Sequence, residues 1–184
     1  MREIALQAQE VLAQADLLYS CQQVESALDR MAEEITAKLA GTQPLLLCTM
    51  LGGLIPSVKL LERFDFLVNV DYVHATRYRG DTLGGRLSWI ARPATPLRDR
   101  VVLVVDDILD EGVTLAAILE DCRAAGAFDV YSAVLVNKRH QRKNGLTADF
   151  VGLTVEDRYV FGYGMDYKGF LRNAHGIYAV KDGA

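Results

Sequence analysis

The sequence predicts an α/β fold, a central and mostly parallel sheet flanked by helices, with a small C-terminal/N-terminal hood. Three observations carry this. Short, continuously apolar runs recur between segments of helical period, as expected of strands buried on both faces. Two of these runs, at 45–48 and 101–105, lead into a glycine turn and then a helix. After Phe150 the pattern changes to short strands and glycine turns with no further long helix.

Taken in order, Val24, Leu28, Met31, Ile35 and Leu39 recur at steps of three or four, one apolar face of a helix that ends at Gly41. Ser20 with Gln23 fits a capping box, and Tyr19 with Val24 a hydrophobic staple. Pro44 precedes a buried strand at 45–48 that runs into Met50-Leu51-Gly52-Gly53, with a second helix over 54–63. A strand at 66–74 follows, then a polar, glycine-bearing stretch at 76–86 and a strand at 87–91. The stretch reads equally as a lid or as an ordinary hairpin tip. Pro93 and Pro96 lead to the central strand at 101–105. Helix 114–125 ends at Gly126, 130–136 is the next strand, and 138–144 is a basic loop. Segment 149–184 reads as a cap continuous with one domain spanning 1–184.

Composition narrows the function classes. With 184 residues, 51% hydrophobic and 24% charged, the chain can build a core and is too apolar for disorder. A net charge of −4 argues against a nucleic-acid surface. Cys21, Cys48 and Cys122 are odd in number and have no CxxC spacing, which suggests neither a disulfide framework nor a zinc site. The first residues lack the apolar core of a secretory signal, and no segment approaches the ~18 apolar residues of a membrane span. A cytoplasmic protein is expected.

The most informative stretch is VVLVVDDILDEGVT at 101–114, which places four carboxylates within six residues at the carboxyl end of a buried strand. In open α/β sheets that edge binds ligands, and a helix N-terminus just beyond it offers amides to an anion. Asp106 and Asp107 can accept hydrogen bonds from a sugar diol or hold a hydrated Mg²⁺. The amides of Glu111, Gly112, Val113 and Thr114 can wrap a phosphate, helped by the Thr114 hydroxyl. A ribose 5-phosphate has both features. The residues alone also allow a solvated acidic turn or the metal site of a phosphotransfer receiver. Neither GxGxxG nor GxxxxGK[ST] occurs, which removes the commonest rival nucleotide sites.

This stretch is similar to the signature of the type I phosphoribosyltransferases. RYVFGYGMDYKGFLR at 158–172 resembles their hypoxanthine-guanine branch. The two motifs stand in the family's order about fifty residues apart. The resemblance implies transfer of phosphoribosyl from 5-phosphoribosyl 1-pyrophosphate (PRPP) to hypoxanthine or guanine, giving IMP or GMP and pyrophosphate, with Mg²⁺ and in a homodimer or homotetramer. Alternatives on the same fold are a xanthine-preferring enzyme and a non-catalytic regulator sensing purines or PRPP.

Residue by residue, the resemblance makes Asp110 the general acid/base facing purine N7, and Asp106 and Asp107 the ribose and metal carboxylates. Lys138, by position alone a solvated loop lysine, matches the donor to a 6-oxopurine. Tyr159 and Val160 match the residues that stack on the base and read its edge, although an aromatic in an apolar run is otherwise core. Asp166 matches a Mg²⁺ carboxylate, and Arg172 the arginine that grips pyrophosphate. Met50 to Gly53, otherwise a plain tight turn, resembles the pyrophosphate loop, with Leu51 and Gly52 offering amides and a cis peptide expected at Met50-Leu51. Tyr78 matches the tyrosine of the catalytic loop. Leu51 stands where many relatives carry lysine, and Arg77 where they commonly carry serine. His74, His140 and His175 fall outside the motifs and receive no role.

Overall fold

Two buried clusters on opposite faces of one sheet account for the continuous apolar runs. In the computed structural model, which describes residues 2–77 and 87–181, six strands lie in the order β4-β3-β2-β5-β6-β7. They are β2 (Leu45–Thr49), β3 (Asn69–Arg77), β4 (Leu87–Ala91), β5 (Val101–Leu109), β6 (Asp129–Arg139) and β7 (Phe150–Glu156). Only β4 is antiparallel to its neighbour. On one face Leu46, Cys48, Leu103 and Val105 meet α2 (Cys21–Leu39) and Leu60 of α3 (Leu54–Leu61). On the other, Leu45, Leu47, Val102 and Val104 meet Leu115, Ile118, Leu119 and Cys122 of α4 (Val113–Ala124). Every residue of β2 is thereby covered, so alternation would have no polar face to serve.

The hood is a second, antiparallel sheet in the order β1-β9-β8, from β1 (Asp16–Ser20), β8 (Val160–Phe161) and β9 (Gly176–Ala179). Helix α1 (Arg2–Gln14) packs Ala8 and Val11 against Phe161 and Tyr167. Neither α1 nor β1 is anticipated by periodicity, because each finds its apolar partners only in the distant C-terminal segment. Among the described residues no helix is long and apolar enough to cross a membrane.

The capping box at Ser20 and Gln23 is present. Helix α2 stops at Leu39, ahead of Gly41, and a 3-10 turn at Ala40–Thr42 follows. The largest differences from expectation are in β5 and β6, which run past their apolar stretches. Pairing continues through Leu109 opposite Asn137 and Lys138 opposite Val155. Lys138 is therefore a strand residue, 8% exposed, rather than a loop lysine. Backbone hydrogen bonds extend a ladder regardless of side-chain polarity, so hydropathy alone ends these strands too early.

Glu25 ties α2, α3 and the hood together. Its carboxylate accepts from Tyr163 Oη at 2.7 Å and from Arg63 Nη2 at 2.7 Å, with Lys59 Nζ at 3.4 Å. Burial pushes its pKa up, but the hydrogen bonds and the two cations outweigh this and hold it below its ordinary value of 4.5. The lowered value means this stabilisation is present above that pH and is lost as pH falls through the folded-state pKa. Glu25→Gln is expected to lower Tm near neutral pH by roughly 2–4 °C, the equivalent of about 1 kcal/mol at this size. The difference should shrink and vanish as pH falls through that lowered pKa, where wild type becomes protonated too; thermal melts at neutral and at acid pH check it.

Candidate active site

Asp106 and Asp107 lie near the carboxyl end of the central strand, where β5 emerges between β2 and β6. Asp106 Oδ1 accepts from Thr49 Oγ1 at 2.5 Å and from the Asp107 amide at 2.9 Å. Burial pushes the Asp106 pKa up, opposed by these bonds. Asp107 is pushed well above the usual carboxylate range by burial and then by the charge of Asp106, with Arg172 pulling it down. Two adjoining carboxylates in such a state favour an arriving hydroxyl or cation.

Five residues on, Gly112 has φ +83° and forms the N-cap of α4, with no side-chain cap hydrogen bond. The conformation suits glycine. A Cβ there would also sit 2.6 Å from Asn144 Oδ1, whose own amide donates to the Glu111 carbonyl at 3.1 Å. The first-turn amides of α4 thus open into a cavity of about 270 Å³. Its walls include Leu51, Gly52, Asp106, Asp107, Asp110, Glu111, Gly112, Thr114 and Arg172. Val113 is not among them, and its side chain is exposed.

Backbone approaches backbone on the opposite side. The Met50-Leu51 peptide is cis, and Gly52 lies so close to Asp107 that a Cβ would run into its carboxylate. Gly164, at φ +110°, faces the Gly52 carbonyl with no room for a side chain. The Gly164 carbonyl accepts from Arg172 Nη1 at 2.5 Å. Arg172 Nη2 is 2.8 Å from Asp166 Oδ1, and Nη1 is 4.0 Å from Asp107 Oδ2. One guanidinium therefore joins the acidic strand end to the C-terminal segment.

A second cavity, about 190 Å³, is lined by Asp107, Ile108, Asp110, Lys138, Tyr159, Val160, Met165 and Asp166. Asp107, Ile108 and Asp110 line both cavities. Lys138 Nζ donates to Asp110 Oδ2 at 2.9 Å, and His140 Nε2 lies 2.6 Å from Asp110 Oδ1. Partial burial pushes the Asp110 pKa up, but these two hydrogen bonds, with the charge of Lys138, prevail and hold it below the ordinary range. Tyr159 stands half-exposed at the mouth, edge-on to Tyr167 with ring centroids 5.6 Å apart.

The structure brings the acidic strand end, the glycine turn, Lys138, Tyr159, Val160, Asp166 and Arg172 around two adjoining cavities. Arg77 pairs with Leu87 at the end of β3. Tyr78 and most of the 76–86 stretch lie outside the described residues. Sequence reasoning passed over Thr49, His140 and Asn144. For His140 a signal existed: it stands two residues beyond Lys138, the spacing that returns a side chain to the same side of an extended chain.

Comparison with known proteins bears on this geometry. The family model of the phosphoribosyl transferase domain matches residues 14–168. The hypoxanthine-guanine phosphoribosyltransferase of Bacillus subtilis is 30% identical over 158 residues, 85% of this chain and 88% of that one. The hypoxanthine-guanine-xanthine phosphoribosyltransferase of Tritrichomonas foetus is 28% identical, over 90% of this chain and 91% of its own. A crystal structure of a hypoxanthine phosphoribosyltransferase from Staphylococcus aureus superposes with a TM-score of 0.85 at 24% identity, covering 90% of this chain and 91% of the other. With the acidic strand end, the uncapped helix and the glycine turn arranged around one cavity, and the family model spanning most of the sequence, this chain belongs to the phosphoribosyl transferase domain family.

Proposed function

We propose that this protein transfers phosphoribosyl from PRPP to hypoxanthine or guanine, releasing pyrophosphate with IMP or GMP, as a purine-salvage enzyme. The observation that carries the reading is the shared wall of the two cavities. A sugar phosphate in the larger and a planar base in the smaller would meet at Asp107, Ile108 and Asp110, where a glycosidic bond has to form. In this reading Asp106 and Asp107 hold the ribose side, and the amides of Glu111, Gly112, Val113 and Thr114 hold the 5-phosphate. Arg172 and the amides of Leu51 and Gly52 receive the pyrophosphate. The bond from ribose C1′ to pyrophosphate breaks as C1′ joins purine N9, and Asp110 takes the proton of N7. Carboxylates near the sugar stabilise the positive charge that develops on it.

The donor set fits Mg²⁺. Asp106, Asp107 and Asp166 are hard oxygen ligands, and no cluster of three or more ligating side chains forms a protein-only cage among the described residues. That matches an ion held by one or two carboxylates plus substrate phosphates. When bound, Mg²⁺ would neutralise the leaving group's charge. Asp166 already engages Arg172 and the Gly169 amide at 2.7 Å, so it is placed to orient the arginine as well.

Lys138 has three donors, so it can keep its bond to Asp110 and still give one to a purine 6-oxo group. An adenine amino group would offer no acceptor there. Lys138→Met is expected to raise KM for hypoxanthine about 10- to 100-fold, the worth of a hydrogen bond from a charged donor. KM for PRPP should change far less, and steady-state kinetics with each substrate varied checks both. The test of the reading is an absorbance assay with each purine base, PRPP and Mg²⁺. Turnover of hypoxanthine or guanine is expected. Turnover of xanthine alone would favour the xanthine alternative, and binding without turnover a sensor.

A homodimer or homotetramer in the cytoplasm completes the proposal. Val70 and Tyr72, in register with Leu46 and Cys48, share the α3 face of the sheet and are exposed, as are Leu54 and Val58 on α3 itself. Such an apolar face suits a second copy. Light scattering is expected to give at least twice the 20.3 kDa chain mass.

A further inference from the structure

His140 is the feature at the site for which neither motif accounts. Its side chain is 4% exposed, deeper than the carboxylate it touches, whose side chain is 44% exposed. His140 Nδ1 accepts the backbone N–H of Arg142 at 3.1 Å. A backbone amide can only donate, so Nδ1 carries the lone pair and the ring proton sits on Nε2. Nε2–H therefore donates to Asp110 Oδ1, across 2.6 Å. A nitrogen that already bears its proton cannot accept one from Asp110, which excludes a relay through the imidazole.

What remains is orientation. Lys138 fixes one carboxylate oxygen and His140 the other, so rotation about the Cβ–Cγ bond of Asp110 would break a hydrogen bond on either side. A carboxylate offers about four lone-pair sites. With two held by these donors, the others face the half-open cavity.

We propose that His140 is a positioning residue for the transfer reaction, its Nε2–H clamping Asp110 Oδ1 so that the free lone pairs of that carboxylate face the N7 edge of the incoming purine. The inference rests on the reading of Asp110 given under Proposed function. The proton moved is the one already described, from N7 to Asp110, and no further reactant is required.

The test is steady-state kinetics of the full-length chain on hypoxanthine and PRPP. His140→Phe keeps a buried ring and removes the donor, whereas His140→Gln places an amide N–H where Nε2 stood and cannot titrate. His140→Phe is expected to lower kcat about tenfold, the worth of one hydrogen bond to a charged group, with both KM values within about threefold of wild type. His140→Gln should recover most of that loss, a rescue that mere packing would not give. In an Asp110→Asn background, His140→Phe should cost nothing further, since the group being positioned has gone. Wild-type kcat in His140→Phe, an equal loss in the Asp110→Asn background, or His140→Gln as impaired as His140→Phe would each overturn the proposal. If wild type turns over purines while His140→Phe does so equally well, the positioning role alone fails. If wild type turns over none, the functional reading fails with it.

Discussion

Asparagine in place of Asp110 is expected to lower kcat by ~10²–10⁴-fold, the usual worth of general acid/base help, with a modest change in KM for either substrate. The size of the effect follows from what surrounds the carboxylate. Lys138 and His140 both point donors at it, and they hold its pKa below the usual range, so it is ionised and ready to accept a proton. An amide of the same shape presents one oxygen and one NH₂. It can satisfy Lys138 or His140, but its NH₂ then faces a second donor, and it takes no proton from N7. Steady-state kinetics of Asp110→Asn decides the matter, and an unchanged kcat would remove Asp110 from the mechanism.

The second large effect is expected at a main-chain contact rather than at a titratable side chain. Gly164→Ala forces a Cβ into the Gly52 carbonyl and asks alanine to adopt φ +110°. Backbone strain of this kind costs of order 1–3 kcal/mol before the steric clash is counted. The clash lies against main chain, so no side chain can swing aside to relieve it. Relief must come from separating the turn at 50–53 from the hood, which also moves the carbonyl that anchors Arg172. We expect a Tm lower by roughly 5–10 °C, from about 3 kcal/mol at this chain size, together with a loss of activity larger than the loss of folded protein. Thermal melts and kinetics at a temperature where the variant is fully folded separate the two. A variant that melts and turns over like wild type would show that the close approach of the two turns has no consequence.

Much of this architecture is legible from residue order. The apolar face of α2, its capping box, and the two strand, glycine turn and helix units are local in origin, set by periodicity and turn chemistry within a dozen or so residues. So is the acidic strand end: Asp106 and Asp107 follow the apolar run directly, and Gly112 follows within one turn. The less legible parts depend on distant partners. Helix α1 is stabilised by Phe161 and Tyr167, and β1 by pairing with β9, contacts that no window along the sequence contains. The ends of β5 and β6 depend on ladder hydrogen bonds rather than on hydropathy, which is why Lys138 reads as a loop residue and is buried in a strand.

The sequence by itself determined that a buried parallel strand delivers carboxylates to a helix N-terminus, because strand burial and glycine turns are properties of neighbouring residues. Only the tertiary structure decided which side chains complete the site. Arg172 meets Asp166 and Gly164 through a turn of the hood, Thr49 reaches Asp106 from the adjacent strand, and His140 reaches Asp110 from the end of β6. Each of these contacts joins residues whose separation along the chain carries no pattern, and packing, rather than spacing, brings them within hydrogen-bond distance.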